Sequence, residues 1–428
     1  MSFPPALPYN SRMTSIEQSL SEWGAFDRDN PFPLFEAVRN RAPVHRVTLA
    51  DGHEAWLIVR HDEARAALND PRISKDMQAA MAASGSIVAE GLPGPAFARH
   101  MLAVDPPDHT RLRRLVASAF SVRRVEALQE HVQRIVDDML DAIEARGADT
   151  VVDLIHAFAF PLPFTVICEL LGIPETGRAS FGQALVEMLV PTRTDEEYAN
   201  AKVASDTVVA FLGNLVAEKR REPDDALVSA LLDARDGDEQ LSEQELLSTI
   251  FQLIIAGHDT TSSLIGNGVV ALLTHPEQLA LVRGNPALLA DAVEELIRYD
   301  APVPHSTFRY AREPIELGGV TIPAGAQILV NLASANRDGA HYAQPDTLDV
   351  ERADGRHLGF GHGIHFCLGA PLARMEGQIA LGTLLCRFPD LRLAVPVGEL
   401  HWDHGDGLVL RGLTNLPVVP GPAAEHRT

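Results

Sequence analysis

The sequence has few cysteines, a deficit of basic residues and no long apolar run. Only three cysteines occur in 428 residues, Cys168, Cys367 and Cys386. They are too few and too scattered for a disulfide framework, so a reducing cytoplasm is expected. Acidic residues outnumber Lys and Arg by 58 to 36, and the net charge is −22. This balance makes nucleic acid an unexpected partner, because it would repel the protein.

Signals for export and for membrane insertion are also missing. The N-terminus has neither a basic start nor the apolar core of a signal peptide. The best candidate span, residues 151–173, is interrupted by two prolines and by Asp153, His156 and Glu169. We therefore expect a soluble, cytoplasmic protein with no membrane partner. Since 46% of its residues are apolar, it can bury a large core.

One stretch combines a cysteine with several glycines. Residues 359–369 read Gly-Phe-Gly-His-Gly-Ile-His-Phe-Cys-Leu-Gly. Glycine permits backbone conformations that a Cβ forbids, so a tight loop can turn backbone N–H groups toward one sulfur. Residues 370–374 then read as a helix start, with Pro371 in its first turn. A cysteine just before a helix N-terminus has a stabilised thiolate, which an axial iron ligand requires.

Two other interpretations of this stretch stay open at this point. Most buried cysteines act only as small apolar side chains. A zinc site could use His362, His365 and Cys367, although no second cysteine lies nearby to complete the usual paired spacing. The surrounding glycines favour the iron-ligand interpretation over both.

A long helix is predicted after residue 242. Ser242-Glu243-Gln244-Glu245 is a capping box, apolar residues recur at helical spacing after it, and His275-Pro276 ends the pattern. The pattern predicts a helix of about thirty residues, roughly 45–50 Å long at ~1.5 Å per residue.

The centre of this helix is unsuited to burial. Residues 256–263 read Ala-Gly-His-Asp-Thr-Thr-Ser-Ser. Glycine weakens a helix, and Ser and Thr compete for its backbone hydrogen bonds. The Thr260 hydroxyl could bond to the Ala256 carbonyl and open the helix locally, leaving a groove next to an iron. Local rules broken inside a well-specified element point to function.

Basic residues cluster before the first long helices. His109 and Arg113 are four residues apart and share one helix face, which suits a pair of carboxylates. Arg111, Arg114, Arg123 and Arg124 together make a positive patch on an acidic protein, although they also fit an ordinary solvated helix face. Glu295 and Arg298 form an i, i+3 pair on a later helix.

The remaining segments give a coarse secondary structure. Residues 44–60 predict a hairpin around Asp51-Gly52, and residues 61–69 predict a short helix. The irregular segment 76–104 is a candidate apolar lid. Residues 125–232 read as amphipathic helices, with breaks expected at 161–163, 172–174, 191–195 and 223–225. Hairpins are expected within 315–330 and 402–419.

These motifs together resemble the cytochrome P-450 family of haem-thiolate monooxygenases. The loop matches the family pattern Phe-Gly-x-Gly-x-His/Arg-x-Cys-x-Gly at every fixed position, and residues 256–261 match Ala-Gly-x-Asp/Glu-Thr-Thr. The motifs follow the family's order across residues 23–419. Overall, the sequence is similar to the soluble bacterial members that tailor macrolides and other polyketides.

The resemblance implies a fold and a domain arrangement. The expected fold is mainly α-helical with a smaller β-rich part near the N-terminus. The haem would lie between the long helix and the cysteine loop with the helix that follows the loop. Residues 23–419 would form a single domain, preceded by a loose segment at 1–22 and followed by a tail at 420–428.

The resemblance also implies roles for individual residues. Cys367 would be the axial ligand of the iron in haem b, iron protoporphyrin IX. Thr260 would hydrogen-bond dioxygen and water, and Asp259 would relay protons inward. Arg352 would join Glu295 and Arg298 in a network that stabilises the fold. Haem contacts would come from His109, Arg113 and Arg309 at the propionates, and from Ala256, Phe360, Gly361, His365 and Gly369.

The implied activity is the insertion of one oxygen atom from O2 into a C–H bond, or into an alkene, of a bulky apolar molecule. Electrons would come from NAD(P)H through separate ferredoxin reductase and ferredoxin partners, and the enzyme is expected to be a monomer. Three alternatives stay open: a steroid or terpenoid hydroxylase, a haem protein that binds a small molecule or gas without oxygenating it, and a peroxide-driven oxidase. The Asp259-Thr260 pair opposes the last two.

Overall fold

The computed structural model describes residues 27–48, 54–76, 97–189, 194–353, 356–402 and 409–424. These residues form two compact units, each discontinuous in sequence. The first unit takes its residues from Ser74–Glu126 and Phe164–His258. The second takes them from residues 27–73, Ala127–Pro163 and residues 259–424. Several expectations fall outside the described residues, namely the segment at 1–22, the Asp51-Gly52 turn, residues 77–96 of the candidate lid, and residues 191–193.

Helices dominate both units, as predicted. In chain order they are α1 Phe32–Arg41, α2 His61–Asn69, α3 Asp108–Ala119, α4 Val122–Glu126, α5 Gln129–Glu144, α6 Pro161–Leu171, α7 Glu175–Leu189, α8 Asp195–Arg221, α9 Leu227–Asp233, α10 Glu243–Thr274, α11 Pro276–Gly284, α12 Leu289–Tyr299, α13 Leu332–Ala335 and α14 Ala370–Arg387. A π-helical turn occupies Ile155–Ala159, and 3₁₀ turns occupy Pro286–Leu288, Gly363–His365 and Val397–Glu399.

The strands are short and belong to three sheets. In chain order they are β1 Val44–Thr48, β2 Glu54–Ile58, β3 Ile73–Ser74, β4 Val152–Asp153, β5 Arg309–Ala311, β6 Ile315–Leu317, β7 Val320–Ile322, β8 Gln327–Val330, β9 Arg392–Leu393 and β10 Pro417–Val419. The largest sheet has the order β1-β2-β8-β5-β3, and the others are β4-β10-β9 and β6-β7. The β1–β2 hairpin is confirmed, with Val44 opposite Ile58 and Thr48 opposite Glu54.

The long helix α10 begins and ends where the sequence indicates. The Glu245 backbone N–H donates to Ser242 Oγ at 3.3 Å, and the Ser242 N–H donates to the Glu245 carboxylate at 2.9 Å. This reciprocal pair satisfies two N–H groups that the first helical turn leaves without partners. The helix spans 32 residues and stops before Pro276. Its backbone remains α-helical through residues 256–263, so the local opening predicted there is not present as a break in the helix.

Two strand predictions are wrong. Within 315–330 the hairpin at Gly318-Gly319 is confirmed, because β6 and β7 pair antiparallel. The second hairpin is not formed: strand β8 follows the turn at Gly325 but does not pair with β7, and it lies parallel to β2 and antiparallel to β5. Among the described residues, 402–419 do not form a hairpin, because β10 pairs with β4 and β9 instead. In each case one partner strand, β2 for β8 and β4 for β10, is distant in sequence, so the local pattern identifies a strand but not its neighbour.

The helix breaks are mostly where they were expected. Breaks at 172–174 and 223–225 are confirmed, since α6 ends at Leu171 and α8 ends at Arg221. The prediction of a break at 161–163 is wrong, because Pro161 and Pro163 lie in the first turn of α6. Proline is tolerated there, since the N–H groups of a first turn have no helical partner.

A core cluster of the second unit supports the cysteine loop. Ile58, Ile328 and Val330 of the largest sheet are each 0% exposed and share this cluster with Ala64 and Leu68 of α2. The C-terminal end of α2 in turn lies against Gly363. A Cβ at Gly363 would be 2.8 Å from Asn69 Oδ1 and 2.9 Å from the Leu68 carbonyl oxygen. The sheet and α2 therefore fix the loop from one side, and only glycine fits at the point of contact.

A buried ion-pair network joins α12 to the segment that leads back to the loop. Arg298 Nε is 2.7 Å from Glu295, and the two side chains are 2% and 3% exposed. Arg352 Nε is 3.2 Å from the same carboxylate. The predicted third member of the network is therefore confirmed. Arg298 also donates to the carbonyl oxygens of Asn336, Pro345 and Thr347.

Two further observations concern membrane-spanning helices and the cysteines. Among the described residues, no single helix has the length and apolar composition to span a bilayer, although the bent pair Ile155–Leu171 and Glu175–Met188 meets that test jointly. None of the three cysteines, each within a described range, is in a disulfide; Cys168 is buried, and Cys367 and Cys386 are exposed.

Candidate functional site

The cysteine loop has the tight conformation that its glycines predict. Gly361 and Gly363 have φ values of +74° and +75°, in the region that favours glycine. The Cys367 N–H donates to the Phe360 carbonyl oxygen at 2.9 Å, which closes the loop. Gly369 lies so close to the sulfur that a Cβ there would be 3.9 Å from Cys367 Sγ. The loop therefore brings together Phe360, Gly361, His365, Cys367 and Gly369.

Cys367 stands just ahead of a helix N-terminus, as predicted. Helix α14 begins at Ala370 with Gly369 as its N-cap and Pro371 in its first turn. The free N–H groups and the dipole of this end favour negative charge nearby. A sulfur three residues before the first helical residue is therefore in a position that favours the thiolate.

The loop exposes a sulfur between apolar side chains. Cys367 is exposed, and its neighbours Ile364 and Phe366 are 48% and 38% exposed. Large apolar side chains beside a thiol are what the face of a porphyrin would cover. The donor set and its apolar surroundings therefore fit a haem.

Other predicted residues of the second unit lie on separate elements. Arg309 is the first residue of β5 and is only 5% exposed, so it is not a surface arginine. A buried guanidinium requires an anionic or strongly polar partner. Asp259 and Thr260 lie on α10 and are both half-buried. The next residues, Thr261 and Ser263, are each 3% exposed.

The first unit contains the remaining predicted residues. His109 is in the first turn of α3 and is 2% exposed, and Arg113 is half-buried one turn later. Their spacing places both on one face of α3. Ala256 of α10 is exposed, although Ile254 is 0% and His258 6% exposed. An exposed alanine in a buried apolar helix marks the face of α10 on which a ligand could lie.

The basic patch is weaker than its composition suggests. Arg111 pairs with the Glu245 carboxylate, and Arg114 is 3.0 Å from Asp236. Arg124 donates to the Asp225 carbonyl oxygen at 2.6 Å. Because carboxylates neutralise the charge of two of the four arginines, their attraction for an acidic partner is reduced.

The zinc alternative has no support in the structure. Within the ranges that the structure describes, one set of three His, Cys, Asp or Glu side chains has ligand atoms all within 4.8 Å of one another: His61, Asp62 and His341. His362, His365 and Cys367 do not form such a set. The His61 and His341 rings are stacked 3.4 Å apart. Since ring lone pairs lie in the ring planes, stacked rings cannot both point at one ion.

The residues that surround Phe360 were not predicted from the sequence. The Arg374 guanidinium is 4.5 Å from the centre of the Phe360 ring, and two hydrogen bonds of 2.6 and 2.8 Å join Arg374 to Glu294. His357 Nε2 is 3.3 Å from the same carboxylate. The repeated acid in Glu294-Glu295 is the only signal of this cluster in the sequence. It does not identify Arg374, which is 80 residues away from Glu294.

Comparisons with known proteins agree with this geometry. The profile of the family described as Cytochrome P450 matches residues 182–285 and 283–393. The chain is 46% identical over 401 residues to "Cytochrome P450 107B1" of Saccharopolyspora erythraea, covering 93% of this chain and 96% of the relative. It is 44% identical over 395 residues to "6-deoxyerythronolide B hydroxylase" of the same organism, covering 90% and 95%.

The fold also matches solved structures. The cytochrome P450 PksS of the bacillaene polyketide synthase of Bacillus subtilis superposes with a TM-score of 0.84 at 38% sequence identity. The match covers 92% of this chain and 97% of that structure.

Proposed function

The chain belongs to the cytochrome P450 family and is a haem-iron monooxygenase that uses O2 and a redox partner; on that basis we propose that it hydroxylates a macrolide, another polyketide or a similar bulky apolar metabolite. Epoxidation is the proposed reaction where the substrate presents an alkene to the same site. The observation that carries the proposal is the exposed Cys367 in its glycine loop, together with an intact Asp259-Thr260 pair on α10.

Haem b is the proposed form of the cofactor, with the Cys367 thiolate as its axial ligand. When bound, the haem supplies the activation of O2, which no side chain can perform. The glycine loop and the start of α14 hold the sulfur and stabilise its charge. Ile364 and Phe366 would cover the porphyrin and exclude water beside the sulfur. Phe360, Gly361, His365 and Gly369 are proposed to bind the cofactor as parts of this loop, and Ala256 as part of α10.

His109, Arg113 and Arg309 are proposed to bind the haem propionates. Arg309 supports this role because its guanidinium is almost fully buried, and such a charge is stable only beside an anion or strong acceptors. His109 and Arg113 share one face of α3, so they can bind one carboxylate from adjacent turns. These contacts would orient the cofactor rather than take part in the reaction.

Thr260 and Asp259 are proposed to manage protons. The reaction consumes two protons for each oxygen molecule, and they must arrive before the O–O bond breaks. The Thr260 hydroxyl can both donate and accept a hydrogen bond, so it can hold dioxygen and a water in place. The Asp259 carboxylate can take a proton from solvent and pass it inward. Both side chains are half-buried, which leaves solvent a path to them.

The proposed electron donor is a ferredoxin reduced by an NAD(P)H-dependent reductase. Arg123, together with the partly neutralised Arg111, Arg114 and Arg124, would provide the weak, salt-sensitive attraction typical of transient redox encounters. We also propose that the enzyme is a cytoplasmic monomer and that residues 23–419 act as one catalytic domain, since the match to the 107B1 relative covers 93% of this chain.

The names of the relatives support the proposed substrate class. One relative is named for hydroxylation of 6-deoxyerythronolide B, and the matched structure is named for a polyketide synthase. Substrates of that kind are large and mostly apolar, which agrees with the methionines in the segment 77–101.

The test is turnover by the purified holoenzyme with a generic ferredoxin, its reductase and NAD(P)H. Candidate macrolides, steroids and terpenoids are first screened by the shift of the iron's spin state on binding. We expect a macrolide or related polyketide to give the shift, and its product to contain one oxygen atom from labelled O2. Binding without oxygenation would indicate a non-oxygenating haem protein. Turnover with hydrogen peroxide alone would indicate a peroxide-driven enzyme, and a preference for steroids would refute the substrate class.

A further inference from the structure

Arg374 is held in one orientation by a paired carboxylate. Its Nε is 2.6 Å from Glu294 Oε1, and its Nη2 is 2.8 Å from Glu294 Oε2. The two parallel hydrogen bonds match the fork of a guanidinium to the two carboxylate oxygens. Burial opposes ionisation of Glu294, but the hydrogen bonds from Arg374 and His357 outweigh it and lower its pKa to about 2. The pair is therefore ionised at neutral pH.

The guanidinium held in this way lies against the cysteine loop. It is 4.5 Å from the centre of the Phe360 ring, a distance at which a cation is attracted to an aromatic face. Phe360 also accepts the N–H of Cys367 through its carbonyl oxygen. Arg374 is thus connected to the backbone of the predicted iron ligand through one residue.

His357 ties the same carboxylate to the entry of the loop. Its Nδ1 accepts the N–H of Gly359 at 3.0 Å, so the ring proton is on Nε2. Nε2 lies 3.3 Å from Glu294 Oε2, close enough for electrostatic attraction. The His357 ring also lies 5.6 Å from the Phe360 ring. Glu294 therefore fixes two groups that contact Phe360, one from α14 and one from the chain entering the loop.

The charge of Arg374 also acts on the sulfur. The pKa of Arg374 is raised, first by its hydrogen bonds to Glu294, against the effect of burial, and then by the charges of Glu294 and Cys367. The guanidinium is therefore within electrostatic reach of the sulfur, and the Glu294 carboxylate, which has the opposite charge, offsets part of its field.

We infer that Arg374 is a positioning residue for the iron ligand, which holds the loop through Phe360, with Glu294 and His357 fixing its orientation. This inference rests on the proposed ligand role of Cys367. It assigns a function to an ion pair that would otherwise serve only to fasten α12 to α14.

The proposed positioning role and a purely structural role predict different effects on the reduction potential of the iron. Reduction adds negative charge to the iron site, so a nearby cation favours the reduced form and a nearby anion disfavours it. Removing the cation in R374Q should therefore lower the midpoint reduction potential, and removing the anion in E294Q should raise it. An ion pair that only fastens two helices would give similar losses of stability in both variants and no opposite shifts.

The experiment compares the ferric–ferrous midpoint potentials and carbon monoxide spectra of the wild-type, R374Q, E294Q and R374K holoenzymes. R374Q should also convert its carbon monoxide complex from the thiolate to the thiol form roughly fivefold faster, as expected for the loss of a partly shielded cation–π contact. R374K keeps the charge but not the fork, so its potential should stay near that of the wild type while its conversion is faster. If R374Q does not retain haem, the midpoint potentials of E294Q and R374K are compared instead. A higher potential in E294Q than in R374K supports the inference, and a potential that is not higher contradicts it.

The matched control is R387Q. Arg387 also lies on α14 and binds carboxylates, with its Nε 3.0 Å from Glu144, but it has no contact with the loop among the described residues. Its variant should match the wild type in potential and spectrum. Potentials that shift in one direction, or not at all, in R374Q and E294Q would overturn the inference. A wild-type enzyme without a thiolate-type spectrum would instead refute the ligand role of Cys367.

Discussion

At the scale of single residues, the cysteine loop depends on its glycines and on an ion pair that lies outside it. Cys367 and the glycines around it form a motif within eleven residues, and each glycine that the loop needs is visible in the sequence. The two with positive φ, Gly361 and Gly363, are the ones that a side chain would disturb most. Arg374 was not predicted, because its importance comes from Glu294, a residue of another helix.

Thr260 provides a residue-scale prediction about proton delivery. In T260A the haem should remain bound, because Thr260 is proposed to contact dioxygen and water rather than to hold the cofactor. Without the hydroxyl, protons reach the wrong oxygen, and electrons should be diverted to hydrogen peroxide. The amount of oxygenated product formed per NAD(P)H consumed should fall roughly tenfold, which is less than the full contribution of general acid catalysis. Product and peroxide are measured together in the same reaction.

The control for this variant is T274A. Thr274 is the last residue of α10, and its hydroxyl donates to the Val270 carbonyl oxygen at 2.7 Å. Its removal should leave the ratio of product to peroxide at the wild-type value. Full coupling in T260A would remove Thr260 from the proposed mechanism.

Glu376 provides a second residue-scale prediction, about the pH dependence of stability. This side chain of α14 is 1% exposed, and one carboxyl oxygen has no hydrogen-bond partner in the structure. Burial raises its pKa from 4.5 to about 8. The folded protein then keeps this proton at pH values where the unfolded chain has lost it. The stability contributed by Glu376 is complete below pH 4.5 and is lost as the pH rises to about 8.

The variant E376Q should remove this loss. Relative to the wild type, its free energy of unfolding should rise between pH 5 and pH 8 by something on the order of 2–4 kcal/mol. Denaturant unfolding at both pH values measures the difference, and E313Q, at an exposed position, serves as the control. An equal effect of E376Q at both pH values would show that the carboxyl is not protonated in the folded protein.

At the scale of elements, the helices were predictable because their boundaries are marked locally. Helix α2 has the bounds that the sequence predicts, with Pro71 shortly after its end. Helix α10 begins at a capping box and ends at a proline. The segments that contain β8 and β10 were predicted to form strands, but the strands with which they pair were not predicted. Strand pairing between distant segments depends on the packing of the whole unit, so it cannot be predicted from the local sequence.

The Glu295–Arg298–Arg352 network provides an element-scale prediction. E295Q leaves two nearly buried guanidinium groups without their shared carboxylate, so we expect it to lower the free energy of unfolding by about 3–5 kcal/mol. E54Q is the matched control, because the Arg46–Glu54 pair of the β1–β2 hairpin has side chains that are 61% and 55% exposed. That loss should not exceed about 1 kcal/mol. Similar small losses in both variants, measured by denaturant unfolding, would show that the network does not stabilise the fold.

At the scale of the whole molecule, the sequence predicted the fold class and the family but not the division into two units. Periodicity indicates amphipathic helices over residues 125–232, and the resemblance to the P450 family implies the mainly helical fold and the haem-thiolate chemistry. Each unit mixes segments that are distant in the chain. Such a division depends on which helices pack together, and amphipathic patterns do not specify their partners.

The bond between Cys367 and the haem iron is the claim on which the proposed function depends. The most direct measurement is the absorption spectrum of the reduced carbon monoxide complex of C367S. The matched control is C386S, which replaces the exposed cysteine near the other end of α14. We expect the thiolate-type spectrum in the wild type and in C386S, and its complete absence in C367S. A thiolate-type spectrum that persists unchanged in C367S would contradict the account.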